Sequence, residues 1–154
     1  MYSKDELKQL KKDFWEGFGL FCENLPRFKY KKRRWILYNT KIKGVEMKFD
    51  ASREGAFVIL ELNHANETKR LEMLALLEKY KTIFDSFFPD AKWEIFFIKP
   101  CGTAVSRIYK QKKDLDIHRR EQWAEFYPFL SHKMSQLEKA FNELKDLLRE
   151  QLES

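Results

Sequence analysis

The chain has 154 residues, a net charge of +6 and an isoelectric point near 9.2. This length fits one domain that buries about two thirds of the surface its unfolded form exposes, and the positive charge favours an acidic partner. Since no apolar run approaches the roughly 20 residues of a membrane helix, and the N-terminus is charged where a signal peptide would be apolar, we expect a cytoplasmic protein that does not enter a membrane.

The first predicted element is a helix over residues 3–24. Ser3 followed by Glu6 is a capping-box signature, and Pro26 requires the helix to stop before it. Its apolar stripe consists of Leu7, Leu10, Phe14, Phe18, Phe21 and Leu25. The lysines Lys4, Lys8, Lys11 and Lys12 lie mostly off this stripe, which is typical of a solvated helix face.

The next segment, residues 27–34, has the highest density of charge in the chain. Its six cations are Arg27, Lys29, Lys31, Lys32, Arg33 and Arg34. Phe28 and Tyr30 are interleaved with these cations. In this composition the cations could bind phosphates while an aromatic ring packs against a base or ribose. A solvated loop whose rings turn into the core would have the same composition, and both interpretations stay open.

Three strands are predicted next, over residues 35–40, 45–50 and 56–62. The second strand alternates apolar and charged side chains, which is the two-residue period of a strand with one buried face. The third is apolar on both faces until Glu61, so we expect it at the centre of the sheet with cover on both sides. Gly44 and the Ser52 to Gly55 stretch supply turns, which predicts an antiparallel meander.

The second half of the chain begins with a predicted helix over residues 67–88, capped by Asn66. Strands over residues 93–98 and 104–110 follow, and then a polar and mostly basic stretch from Lys110 to Arg120. The last predicted helix covers residues 119–151, where Pro128 either starts a new helix or kinks a continuous one.

The last helix carries a heptad-like seam that includes Leu130 and Met134. Such a helix could simply cover the sheet. Its length also permits a partly free end, which predicts a homodimer through Leu137, Phe141, Leu144 and Leu148.

Together these elements predict an α+β fold in one domain, with about five mostly antiparallel strands in the order α-β-β-β-α-β-β-α. We expect helices on both faces of the sheet and a long C-terminal helix. Cys22 and Cys101 are isolated in the sequence, so we expect free thiols in a reducing compartment.

Several stretches resemble one bacterial family, called domain of unknown function 4268. They are residues 2–11, the 14–19 block Phe-Trp-Glu-Gly-Phe-Gly, Trp-Ile-Leu-Tyr-Asn-Thr-Lys from Trp35, Glu-Gly-Ala-Phe-Val from Glu54, Ser-Arg-Ile-Tyr from Ser106, and Trp123. The resemblance covers nearly the whole chain and is to the short stand-alone members. It transfers no catalytic residues. Other members look like C-terminal parts of proteins whose remainder resembles a nuclease, which implies an association with nucleic acid.

The leading functional hypothesis is a binding module without catalytic activity. It would present the six cations of residues 27–34, together with Arg107, Arg119 and Arg120, to an acidic partner, with nucleic acid as the first candidate. A protein-interaction or dimerisation domain is an alternative.

A second alternative is a divergent nuclease of restriction-endonuclease-like fold. In it, Asp50 and Glu61 would hold Mg²⁺ and activate a water molecule. Asn63 stands where that fold has a lysine, and an amide cannot serve as a base. For Glu61 we favour the simpler role of an ordinary ion-pair partner for Arg53, Lys69 or Arg70.

Overall fold

A computed structural model of the chain describes residues 2–25 and 37–153. Its helices are α1 (Lys4–Glu23), α2 (Glu67–Lys79), α3 (Lys81–Phe87) and α4 (Trp123–Glu153), with a 3₁₀ turn over Arg120–Gln122. Its strands are β1 (Leu37–Asn39), β2 (Val45–Ser52), β3 (Gly55–Leu62), β4 (Lys92–Ile98) and β5 (Ala104–Lys112).

The five described strands form one sheet in the order β1-β2-β3-β5-β4, and every neighbouring pair is antiparallel. The predicted α+β class and the meander of the first three strands are therefore confirmed. Strand β3 lies at the centre, and all eight of its residues are buried. The predicted first strand over residues 35–40 appears as the shorter β1, and positions 35 and 36 lie outside the described residues.

The helices cover one face of the sheet. Buried side chains of all four helices join a single apolar cluster with Val58, Leu60 and Leu62 of β3 and with Val45 and Met47 of β2. The opposite face has a separate small cluster made of strand residues alone: Phe57, Ile59 and Tyr109. The expectation of helices on both faces is therefore wrong for the described chain, in which the buried residues of the second face come from strands.

The first helix follows the prediction closely. The hydroxyl of Ser3 accepts a hydrogen bond from the backbone N–H of Glu6 at 3.1 Å, which caps α1. Phe14 and Phe18 are completely buried, and the Tyr127 hydroxyl donates to the carbonyl oxygen of Phe14 at 2.9 Å, joining α1 to α4.

The predicted helix over residues 67–88 is wrong as one element, because it breaks at Tyr80. This residue has φ −108° and ψ 26°, outside the helical region, and it separates α2 from α3. After the break, Phe84 of α3 and Phe88 at its C-terminal end are both fully buried in the core. Since no glycine or proline lies at the break, the sequence carries no local signal for it.

The C-terminal helix begins at Trp123, four residues later than predicted, and continues through Pro128. Leu137, Phe141, Leu144 and Leu148 are all buried against the same chain. The prediction of a partly free end is therefore wrong, since these four side chains pack into the core of their own chain, and homodimer formation itself stays a prediction.

Strand β4 is an edge strand with an irregular ladder. Its register against β5 shifts between Glu94 and Phe97, which marks a bulge. Ile95, Phe96 and Ile98 are exposed there. Nowhere in residues 2–25 and 37–153 is a helix both long and apolar enough to cross a membrane.

The burial of Leu144 gives a direct test of the role of α4. Leu144 is 2% exposed, so Leu144→Ala should lower the free energy of unfolding by about 2–5 kcal/mol. The control is Leu20→Ala, at a leucine that is 63% exposed, which should change it by less than about 0.5 kcal/mol. Urea unfolding at two well-separated protein concentrations measures both. A loss for Leu144→Ala that appears only at the higher concentration would show a dimer seam instead.

Candidate functional site

The face of the sheet that carries Phe57, Ile59 and Tyr109, opposite the described helices, is named the open face, and it carries an ion-pair network around Glu61 of β3. Glu61 is 5% exposed, and its Oε2 atom lies 2.8 Å from the Nζ of Lys48, 2.7 Å from the Nδ2 of Asn63 and 3.6 Å from the Nζ of Lys99. The Lys48 ammonium also reaches Glu46 at 3.0 Å. Burial alone would raise the pKa of Glu61, but the hydrogen bonds from Lys48 and Asn63 outweigh it and hold that pKa below its usual value.

This geometry does not support the magnesium hypothesis. Asp50 pairs with Phe57, whereas Glu61 pairs with Glu46, four residues further along β2. At about 3.3 Å per residue the two positions are about 13 Å apart, too far for one ion. Within the described part of the chain, no group of three or more histidine, cysteine, aspartate or glutamate side chains could hold a metal. The alternative in which Asp50 and Glu61 converge on one ion therefore has no support in this geometry. The ion pairs of Glu61 are with Lys48 and Lys99 and not with Arg53, Lys69 or Arg70.

Arg107 also lies on the open face, but its charge is already balanced. Its Nη2 lies 3.1 Å from Glu94 Oε1, and its guanidinium lies 3.5 Å from the Phe97 ring centroid and 4.4 Å from that of Tyr109. The side chain is only 15% exposed. Arg107 therefore stabilises the sheet face, and its predicted role in phosphate binding has no geometric support.

The other predicted arginines lie elsewhere. Arg119 and Arg120 are exposed beside α1, where Arg120 pairs with Asp13 at 3.0 Å and lies 4.8 Å from the centroid of the Trp123 ring. The six predicted cations from Arg27 to Arg34 lie outside the described residues.

A groove runs between the first half of α1 and the turn that joins β2 to β3. We name it the α1 groove; its volume is about 830 Å³, and its cations are Lys4, Lys8, Lys11 and Arg53. The three lysines share one side of α1 because they are four and three residues apart. Arg53 is held by His118, whose Nδ1 lies 3.0 Å from its Nε, while Asp5 and Glu54 supply the negative charge.

A second groove of about 640 Å³ lies where β5 ends, between the start of β4 and α4. We name it the lysine groove; its cations are Lys92, Lys110, Lys112, Lys113 and Lys133. Its acidic side chains are Asp90 and Asp114. Among the described residues, none of the five lysines forms an ion pair within 4.0 Å. Burial, followed by repulsion from Lys133, lowers the pKa of Lys110.

The two grooves flank the same turn. Gln111 at the end of β5 donates from Nε2 to the carbonyl oxygen of Glu54 at 2.8 Å, and the N–H of Ile117 donates to Ser52 at 3.3 Å. Gly55 has φ +118°, and a Cβ there would collide with the backbone oxygen of Lys112. This close approach of the two backbones places nine cations and four acidic groups around one end of the sheet.

Sequence reasoning found only part of this arrangement. It noted the lysines of α1 as a solvated face and the basic stretch from Lys110, but it did not connect them with Arg53, Lys92 or Lys133. The missing information was the placement of β5 beside β3 and of α4 across the end of β5.

Fold and site together describe an α+β protein with helices on one sheet face and a cationic end. The chain belongs to the family DUF4268, a domain of unknown function, whose sequence model matches residues 10–145. The predicted family resemblance is confirmed. Comparison with curated proteins and comparison with solved structures gave no match.

The Glu61 network gives a pH-dependent prediction. Glu61→Gln should lower the free energy of unfolding by about 1–3 kcal/mol at neutral pH, because Lys48 loses a buried charged partner. The pKa of Glu61 is lower in the folded chain than in the unfolded one, so this stabilisation is complete above about pH 4.3 and is lost as the pH falls through the folded value. Urea unfolding of both proteins across this range measures the difference.

The matched control for this experiment is Glu46→Gln, at the more exposed partner of Lys48. Its effect should stay below about 1 kcal/mol. A difference between wild type and Glu61→Gln that is equally large in acid and at neutral pH would contradict the role given to the ionised carboxylate.

Proposed function

We propose that this chain is a binding module for a polyanion, with nucleic acid as the first candidate. The strongest support is the charge of the two grooves around the β2–β3 turn. Together they are lined by nine cations and only four acidic groups. Attraction between such a surface and phosphates supplies most of the affinity in non-specific nucleic-acid binding.

The difference in ion pairing between cations inside and outside the grooves also supports the proposal. Arg107 forms an ion pair with Glu94, and Lys48 forms ion pairs with Glu46 and Glu61. These cations therefore stabilise the fold and are not available to a ligand. The lysines of the two grooves have no such partners within the described chain. Their charges are available to a ligand, and walls of low dielectric strengthen the local field.

The sequence adds a third cationic stretch, from Arg27 to Arg34, between α1 and β1. Its composition suits the same class of partner. We also propose a cytoplasmic location, supported by the free thiol of Cys101.

The test is fluorescence anisotropy with labelled single-stranded and duplex DNA and RNA over a range of salt concentrations. For the variant Lys4→Gln, Lys8→Gln, Lys11→Gln we expect roughly tenfold weaker binding at low salt, because three phosphate contacts are lost. The slope of log K against log [salt] should become shallower by about 2–3 for the same reason. Glutamine keeps the helix propensity of lysine nearly unchanged.

The control removes the same net charge outside both grooves, with Lys79→Gln, Lys139→Gln, Lys145→Gln. Its affinity should stay close to that of the wild type. Equal losses in the two triple variants would show that only net charge matters, and wild-type binding no better than that of a neutral protein would reject the proposal in favour of a protein-interaction domain.

A further inference from the structure

The lysine groove exists because β4 is shorter than its neighbour. Lys92, the first residue of β4, pairs with Tyr109, whereas β5 continues to Lys112, which pairs with Ala56 of β3. The end of β5 therefore has β3 on one side and no described strand on the other. Phe129 and Lys133 of α4 line the resulting gap, so the groove is bounded by two strands and one helix.

Three of the charges in this gap come from two elements on the helix-covered face: Lys110 and Lys112 from β5 and Lys133 from α4. Lys92 of β4 pairs with Tyr109, so it lies at the rim of the groove on the opposite face of the sheet. The Lys110 ammonium lies 5.3 Å from the centroid of the buried Phe88 ring. Lys133 is near enough to Lys110 to repel its charge. Like charges held together cost free energy that an anion between them would recover.

We propose that the lysine groove binds a phosphomonoester, either on a free nucleotide or at the end of a nucleic-acid strand. The inference rests on the proposed function, because it names the group that this part of the surface takes. A monoester carries a charge of about −1.5 to −2 near pH 7, against −1 for a backbone diester, and so suits several converging lysines. The volume of about 640 Å³ admits the attached nucleoside, with the Phe129 ring as an apolar wall.

The experiment compares one single-stranded oligonucleotide with a 5′-phosphate and with a 5′-hydroxyl, and adenosine monophosphate with adenosine. Fluorescence anisotropy measures the affinity for the oligonucleotides. Isothermal titration calorimetry measures the affinity for the small molecules. For the wild type we expect the phosphate to strengthen binding about tenfold, as charge-assisted contacts to two or three lysines would. The preference should fall to less than about twofold in Lys110→Met and in Lys133→Gln.

Two controls separate this site from the rest of the surface. Lys139→Gln removes the same charge from the exposed side of α4, and Lys8→Gln removes it from the α1 groove. Both should keep the preference for phosphate. Lys133→Gln changes a residue on the helix surface, so it tests the site even if Lys110→Met disturbs β5.

The outcomes separate this inference from the proposed function. Equal binding of the two oligonucleotides, together with equal binding of adenosine and its monophosphate, overturns the phosphomonoester site and leaves the polyanion surface standing. Binding of adenosine monophosphate without binding of either oligonucleotide supports the site as one for free nucleotides and rejects the proposed function. A preference for phosphate that survives both lysine variants also overturns the site.

Discussion

The structure depends on the complete burial of β3. Its even-numbered side chains, including Val58 and Leu60, pack against helices, and its odd-numbered ones, including Phe57 and Ile59, pack against neighbouring strands. A strand that is buried on both faces removes apolar surface from water on each of them, and this burial helps to stabilise a small sheet. It also constrains Glu61, whose carboxylate is stable there only because Lys48 and Asn63 are within hydrogen-bonding distance.

The same arrangement divides the charges of the chain into two groups. On the open face, Glu61 with Lys48 and Arg107 with Glu94 neutralise each other and secure the sheet. At the end of the sheet, where β4 stops short and the β2–β3 turn meets β5, lysines from several elements converge with few carboxylates. The six cations of residues 27–34 account for the whole net charge of +6, so the described residues carry equal numbers of basic and acidic side chains, and the surplus of cations at this end of the sheet is local.

Local patterns in the sequence predicted the elements well because each reflects its own residues. The alternation in β2, the apolar run of β3 and the Ser3 cap of α1 all appear where expected. A two-residue turn between Ser52 and Gly55 also fixes the register that places Glu46 opposite Glu61. The neighbours of Glu61 on β2 could therefore have been predicted from the sequence. The break at Tyr80 was not, since no glycine or proline marks it and it is associated only with the burial of Phe84 and Phe88 in the core.

The site was less predictable than the fold, because its residues are distant in sequence. Lys133 approaches Lys110 only through the packing of α4, and Arg53 approaches Lys8 only through the seating of α1 against the β2–β3 turn. The heptad spacing of α4 fits a core helix as well as a dimer seam, and burial of Leu137 and Leu148 within one chain decides between them.

The bulge in β4 has a consequence for the solubility of the chain. Ile95, Phe96 and Ile98 are apolar side chains on an unprotected sheet border, a combination that promotes fibre growth by strand addition. Because the ladder slips between Glu94 and Phe97, the outer edge of β4 does not present a regular row of donors and acceptors to an incoming strand. A bulge at this position therefore works against strand addition at an edge that exposes apolar side chains.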